Sequence, residues 1–178
     1  NFNWATDGWM KDSQNIPIMR VKDDARITIP YKPFSMEHGN IHNTGKTLEF
    51  EFATSGVFDY NTSLISCFSN GKGFNITAQQ AFFSSSATKI SAQYKENEHV
   101  RISFVINDSQ ENRLLYCYVN GIISGITQYS TNEIFYQDPE LEISIGSSDA
   151  IIDIYNIRIY DKALSRFQTD RKSTRLNS

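Results

Sequence analysis

Glu49 and Glu51 stand two residues apart in KTLEFEF, where charged and aromatic residues alternate as in an extended strand. Side chains at i and i+2 of a strand share a face and lie ~7 Å apart at the backbone, a separation that suits a pair of carboxylates working as acid and base. The simpler reading is structural: Leu48, Phe50 and Phe52 face a core, while Thr47, Glu49 and Glu51 face water from an edge or outer strand. His38 and His42 have the four-residue spacing of a helical metal pair. Gly39 and Asn40 between them argue against a helix and no third ligand is near, so both are expected to be loop histidines without a ligand role. His99 opens a strand and is expected at the surface. There is no nucleophile-elbow pattern, and Gly71-Lys72-Gly73 reads as a hairpin turn, not a phosphate loop.

For binding chemistry the informative run is Leu114–Tyr118, apolar on both faces. If Leu115, Cys117 and Val119 point into a core, Tyr116 and Tyr118 lie on the outer face of a sheet, where a flat ring can stack on a sugar and its hydroxyl can hydrogen-bond. The competing reading is a central strand whose outer face is covered by a loop. Asn120 at the hairpin tip, Tyr129 at its far end and Tyr136 in the following loop complete the candidate glycan-binding set. Asn61-Thr62-Ser63, Asn75-Ile76-Thr77 and Asn107-Asp108-Ser109 match the N-glycosylation pattern, unsurprising in a chain so rich in Asn and Ser.

The elements that would position these residues are strands. Met19–Pro30 reads as a first strand pair or one bent strand around Asp23-Asp24, and Tyr31–Gly45 as a loop. Thr47–Ala53, Leu64–Phe68, Gly73–Ala78, Ala81–Phe83, Lys89–Tyr94 and Val100–Ile106 follow as strands. Asn70-Gly71 and Asn120-Gly121 are strong hairpin-turn signals. Ser130–Pro139 is a long loop and Leu141–Ile145 a short strand. In Asp153–Tyr160, strict alternation puts Tyr155, Ile157 and Ile159 on one face and Ile154, Asn156, Arg158 and Tyr160 on the other. Ala163–Phe167 carries a short helical signal. Short strands near ten residues apart predict an all-β fold, an antiparallel two-sheet sandwich or jelly roll.

Twelve Phe, nine Tyr and two Trp in 178 residues suit such a fold and a single main domain. No apolar run approaches the ~18 residues of a membrane span. A formal charge of −3 and a pI near 5.6 give no global attraction to nucleic acid or anionic membrane. Cys67 and Cys117 sit far apart in apolar runs and are expected to be buried free thiols. Residues 1–18 read as a lead-in packing its aromatics on the sandwich, 19–169 as the domain, and 170–178, DRKSTRLNS, as translated sequencing adapter or a disordered tail. The absence of an initiator Met suggests a cut within a longer protein.

GKTLEFEF, EHVRISFVI, LYCYVNG with its hairpin return, ISIGSS and IYNIRIYDKALS occur in that order. Together they resemble the concanavalin A-like lectin and glucanase superfamily in its laminin G-like branch, over roughly Met19 to Ser165. The whole string also resembles domains of phage tail and virion structural proteins. The glucanase pattern of that superfamily needs a further acid after the pair, which Ala53-Thr54-Ser55 does not supply, so a glycan hydrolase is the lesser expectation. The resemblance implies a non-catalytic module, on a virion or outside the cell, that binds a glycan or host cell-surface polysaccharide and meets other virion subunits. A purely structural virion module is the alternative. It also implies a possible calcium ion, for which Asp59 with Asn61 and Asp149 with Asp153 are the oxygen-rich candidates.

Overall fold

The computed structural model describes residues 8–22, 25–33, 45–69, 71–84, 89–109, 112–129, 140–144 and 149–165. These form two antiparallel sheets, as the strand spacing predicts. The seven-stranded sheet takes β1 (Trp9–Lys11), β2 (Pro17–Val21), β4 (Lys46–Gly56), β9 (His99–Ser109), β10 (Asn112–Val119), β11 (Ile122–Gln128) and β13 (Ala150–Tyr160), in the order β1-β2-β13-β4-β9-β10-β11. The six-stranded sheet takes β3 (Arg26–Ile29), β5 (Ile65–Ser69), β6 (Lys72–Ile76), β7 (Gln80–Ser84), β8 (Lys89–Gln93) and β12 (Leu141–Ser144), in the order β3-β12-β5-β6-β7-β8. Among the described residues no helix is long and apolar enough to cross a membrane.

The core lies where period-two apolar faces meet. Leu48, Phe50 and Phe52 of β4 and Ile102, Phe104 and Ile106 of β9 are shut from solvent and oppose Cys67, Phe74, Ile76 and Phe83 of the other sheet. Ring contacts join the layers: Phe50 to Phe74 at 5.1 Å, Phe74 to Phe104 at 5.5 Å and Phe83 to Phe104 at 5.9 Å between centroids. Each such buried ring contributes roughly 1.5–3 kcal/mol from its removal from water. Cys67 and Cys117 are buried thiols outside any disulfide, as expected, and burial pushes both up to about 12.

Three local expectations change. β2 and β3 neither pair nor form one bent strand: they belong to different sheets, and the chain crosses the sandwich between Val21 and Arg26. Asp23-Asp24 lies outside the described residues. β13 does not alternate strictly, because a bulge between Ile154 and Asn156 makes Tyr155 an extra residue opposite β4. Ile154 therefore joins the core on the same side as Ile157 and Ile159, and Tyr155 turns outward. Asp161–Ser165 is not helical, and the rest of the coda lies outside the described residues.

The hairpin at Asn120-Gly121 is as the sequence implies. Both residues have positive φ, 52° and 78°, the two-residue turn that matches strand twist. Within β11, a Cβ on Gly125 would sit 2.7 Å from the Ile90 side chain, so the missing side chain lets β11 close against β8.

Candidate functional site

The centre of the seven-stranded sheet carries polar groups on its outer face. β4 lies between β13 and β9, which sets Glu49 between Arg158 and Ser103 and Glu51 between Asn156 and Arg101. The expectation of a wet edge or outer strand is thereby corrected. Glu49 is 1% exposed, and its Oε1 accepts from the Arg158 guanidinium at 2.7 Å. Glu51 accepts from Asn156 Nδ2 at 2.8 Å, and His99 Nε2 stands 3.1 Å from its other oxygen. The hydrogen bond from His99 is the main reason the Glu51 carboxyl is held below its usual range; burial opposes it, and the Asn156 bond helps.

Next to this ladder the His99 ring stacks on Tyr155, with centroids 4.4 Å apart. The Tyr155 hydroxyl donates to Asp12 Oδ2 at 3.0 Å, and Asp12 Oδ1 accepts from the backbone of Gln14 and Ile16. Burial, then the Asp12 contact, pushes the Tyr155 hydroxyl up to about 12. Arg20 closes the row with a two-pronged pair to Asp153, at 2.7 and 2.8 Å. The bulge that turns Tyr155 outward is what makes the His99 stack possible.

Beside the stack lies a cleft of about 190 Å³ lined by Glu51, His99, Val100, Arg101 and Asn120. The hairpin turn is tied to its wall in both directions: Asn120 Oδ1 accepts from Arg101 N and Asn120 N donates to Arg101 O, each at 2.8 Å. The cleft thus joins the half-exposed His99 ring, the Glu51 carboxylate, the largely buried Arg101 and the exposed Asn120. Such a set can exchange hydrogen bonds with a hydroxyl-rich ligand and give its ring a flat surface.

Of the glycan-binding residues expected from sequence, Asn120 reaches this cleft. Tyr116 and Tyr118 lie on the outer face of β10 as read, stacked on each other at 6.1 Å, but Tyr118 is only 5% exposed while Tyr116 is half-buried. Tyr129 is buried in the core with its hydroxyl 3.2 Å from Asp108 Oδ1 and Asn107 O, and burial followed by Asp108 pushes that hydroxyl up. Its ring offers no open face. Tyr136, His38 and His42 lie outside the described residues.

For calcium, Asp153 has both oxygens on Arg20, and Asp59 Oδ1 accepts from Asn61 N at 3.0 Å in a local turn. Asp149 holds Val57 through its backbone carbonyl. Among the described residues no group of three or more His, Cys, Asp or Glu side chains could hold a metal ion. Of the glycosylation motifs, Asn75 sits in β6 at 9% exposure, closed to a modifying enzyme. His99, Arg101 and Tyr155 were missed as site residues. The polar alternation His99, Arg101, Ser103 on β9 was the one available signal, and the bulge had none.

No protein-family model matches the chain, and no curated protein does. Solved structures do share its fold. The receptor-binding domain of botulinum neurotoxin D superposes with a TM-score of 0.69 at 11% identity, over 96% of this chain and 46% of that one. The binding domain of botulinum neurotoxin DC in complex with SialylT gives 0.58 at 12%, over 94% and 50%. The botulinum neurotoxin type G receptor-binding domain gives 0.57 at 14%, over 93% and 48%. The chain spans about half the length of these solved chains, and at such identities the likeness establishes a common β-sandwich fold.

Proposed function

We propose that this chain is a non-catalytic module that binds carbohydrate on a cell surface through the cleft of Glu51, His99, Arg101 and Asn120. The observation that carries the reading is the cleft itself, where a stacked His99–Tyr155 pair stands beside convergent polar groups. Chains of the same fold, one named a receptor-binding domain and another a binding domain in complex with SialylT, support it by analogy. The glutamates argue against hydrolysis. A general acid needs a raised pKa, whereas Glu51 is held low, and Glu49 is sealed from solvent against Arg158. The finer setting rests on sequence resemblance: a concanavalin A-like, laminin G-like domain of a phage tail or other virion protein, with host polysaccharide and neighbouring subunits as partners.

One feature favours a second reading, a structural module that packs against neighbours. Edge strand β11 carries no charged residue and leaves Ile122, Ile123 and Ile126 at 64, 43 and 55% exposure. A printed glycan array separates the two. Binding to a defined set of glycans, weakened on exchange of the half-exposed His99→Ala with the fold retained, is the expected result; a blank array would leave the structural reading alone.

A further inference from the structure

The outer face of the six-stranded sheet holds groups that the cleft does not use. In β5 to β8 the inward positions are Cys67, Phe74, Ile76, Ala81, Phe83 and Ile90, so Asn75, Phe68, Phe82 and Lys89 stand on the opposite face. Asn75 is paired across the ladder with Ser66 on one side and Phe82 on the other. Its side chain is nine-tenths buried, and among the described residues its Oδ1 has no hydrogen-bond partner. A buried carbonyl of this kind is costly and calls for a specific donor. Beside it Phe68 and Phe82 meet edge to face at 5.7 Å, with Phe68 still 37% exposed. The Lys89 ammonium lies 5.2 Å over the Phe82 ring, and among the described residues no carboxylate pairs with it. Between Phe68 and Ser84 the ladder position is Gly73, which puts no side chain on the floor.

We propose that this face is a second ligand site, for an acidic saccharide residue: a sugar hydroxyl donates to Asn75 Oδ1, the ring's C–H face lies on the Phe68–Phe82 pair, and the carboxylate pairs with Lys89. Asn75 and Lys89 stand two strands and two residues apart, ~12 Å at the backbone, a span that one pyranose ring and the flexible lysine stem bridge. The charge sets the ligand class, because a cation with no carboxylate partner among the described residues, beside an aromatic platform, favours a carboxylated sugar over a neutral one. Exposed Phe68 stands directly across the ladder from Gly73, and a sugar reaching Asn75 would turn that ring aside.

The site is independent of the cleft on the other sheet, and the test separates them. The isotope-labelled chain is titrated with methyl β-D-glucuronide and with methyl β-D-glucoside, probes that differ at the carboxylate, while amide signals are followed by NMR. The expected result is a saturable shift of the Asn75 side-chain amide and of the Phe82 and Lys89 backbone, with the glucoside about tenfold weaker. Lys89→Ala removes that difference, and Phe82→Ala removes both responses. If Phe82→Ala fails to fold, the exposed Lys89→Ala substitution still decides. No shift at Asn75 with either sugar, or a glucuronide preference that survives Lys89→Ala, overturns the proposal. Shifts confined to Glu51, His99, Arg101 and Asn120 overturn it too and leave the cleft reading standing.

Discussion

The two outer faces of this sandwich handle polar groups in opposite ways. On the seven-stranded sheet, Glu49 meets Arg158, Asp153 meets Arg20, and Glu51 meets His99 and Asn156. On the six-stranded sheet, Asn75 Oδ1 is left without a partner among the described residues and Lys89 rests on a phenyl ring. Strand length and sequence separation explain the difference. β4, β9 and β13 are each eleven residues long and come from distant parts of the chain, so their ladder sets complementary charges side by side. β5 to β8 are five-residue strands that form a meander of sequence neighbours, with the distant β12 joining only beside β5, so most of this face holds what one local stretch supplies. Long-range pairing gives charged groups partners that a local meander does not supply.

The largest expected effect breaks the closed side. Arg158→Ala strands Glu49 as an uncompensated buried charge and should cost roughly 3–5 kcal/mol in urea unfolding, while the double change Glu49→Gln with Arg158→Met recovers most of it. A loss under about 1 kcal/mol would mean that water reaches Glu49.

Acid should loosen the same face. The folded Glu51 carboxyl lies below its ordinary value of 4.5, so its contribution to stability is present above that pH and is lost as pH falls through the folded value. Glu51→Gln should flatten that part of the stability profile below about pH 4.5, as read by thermal unfolding across pH. An unchanged profile would remove the His99–Glu51 bond from the account.

The smallest effect tests the open side. Asn75→Val deletes an unpaired acceptor from a strand position and should be neutral or stabilising by up to ~1 kcal/mol. Destabilisation beyond that would show that the amide is satisfied and that the two faces do not differ.

Much of the fold was legible because period-two patterning and turn chemistry are local. Thr47–Ala53, Val100–Ile106 and the Asn120-Gly121 hairpin needed no distant information. The crossing from β2 to β3 was hidden because both runs read as strands and nothing local says which sheet each joins. The alternation of Glu49 and Glu51 with Phe50 and Phe52 suggested an amphipathic edge; the partners that bury Glu49 come from β13 and β9, more than fifty residues on. The cleft was legible only in pieces. Glu51 was noticed for its pairing with Glu49, Asn120 for its turn, and Tyr155 was assigned to the wrong face because a bulge flips side chains without changing composition.

The central claim is that the cleft of the seven-stranded sheet recognises a glycan. It is tested most directly by calorimetric titration of a glycan selected on the array into wild type and His99→Ala. Removing the exposed half of the His99–Tyr155 stack should weaken binding about tenfold while leaving the melting temperature within a few degrees. An unchanged affinity in a folded His99→Ala variant would contradict it.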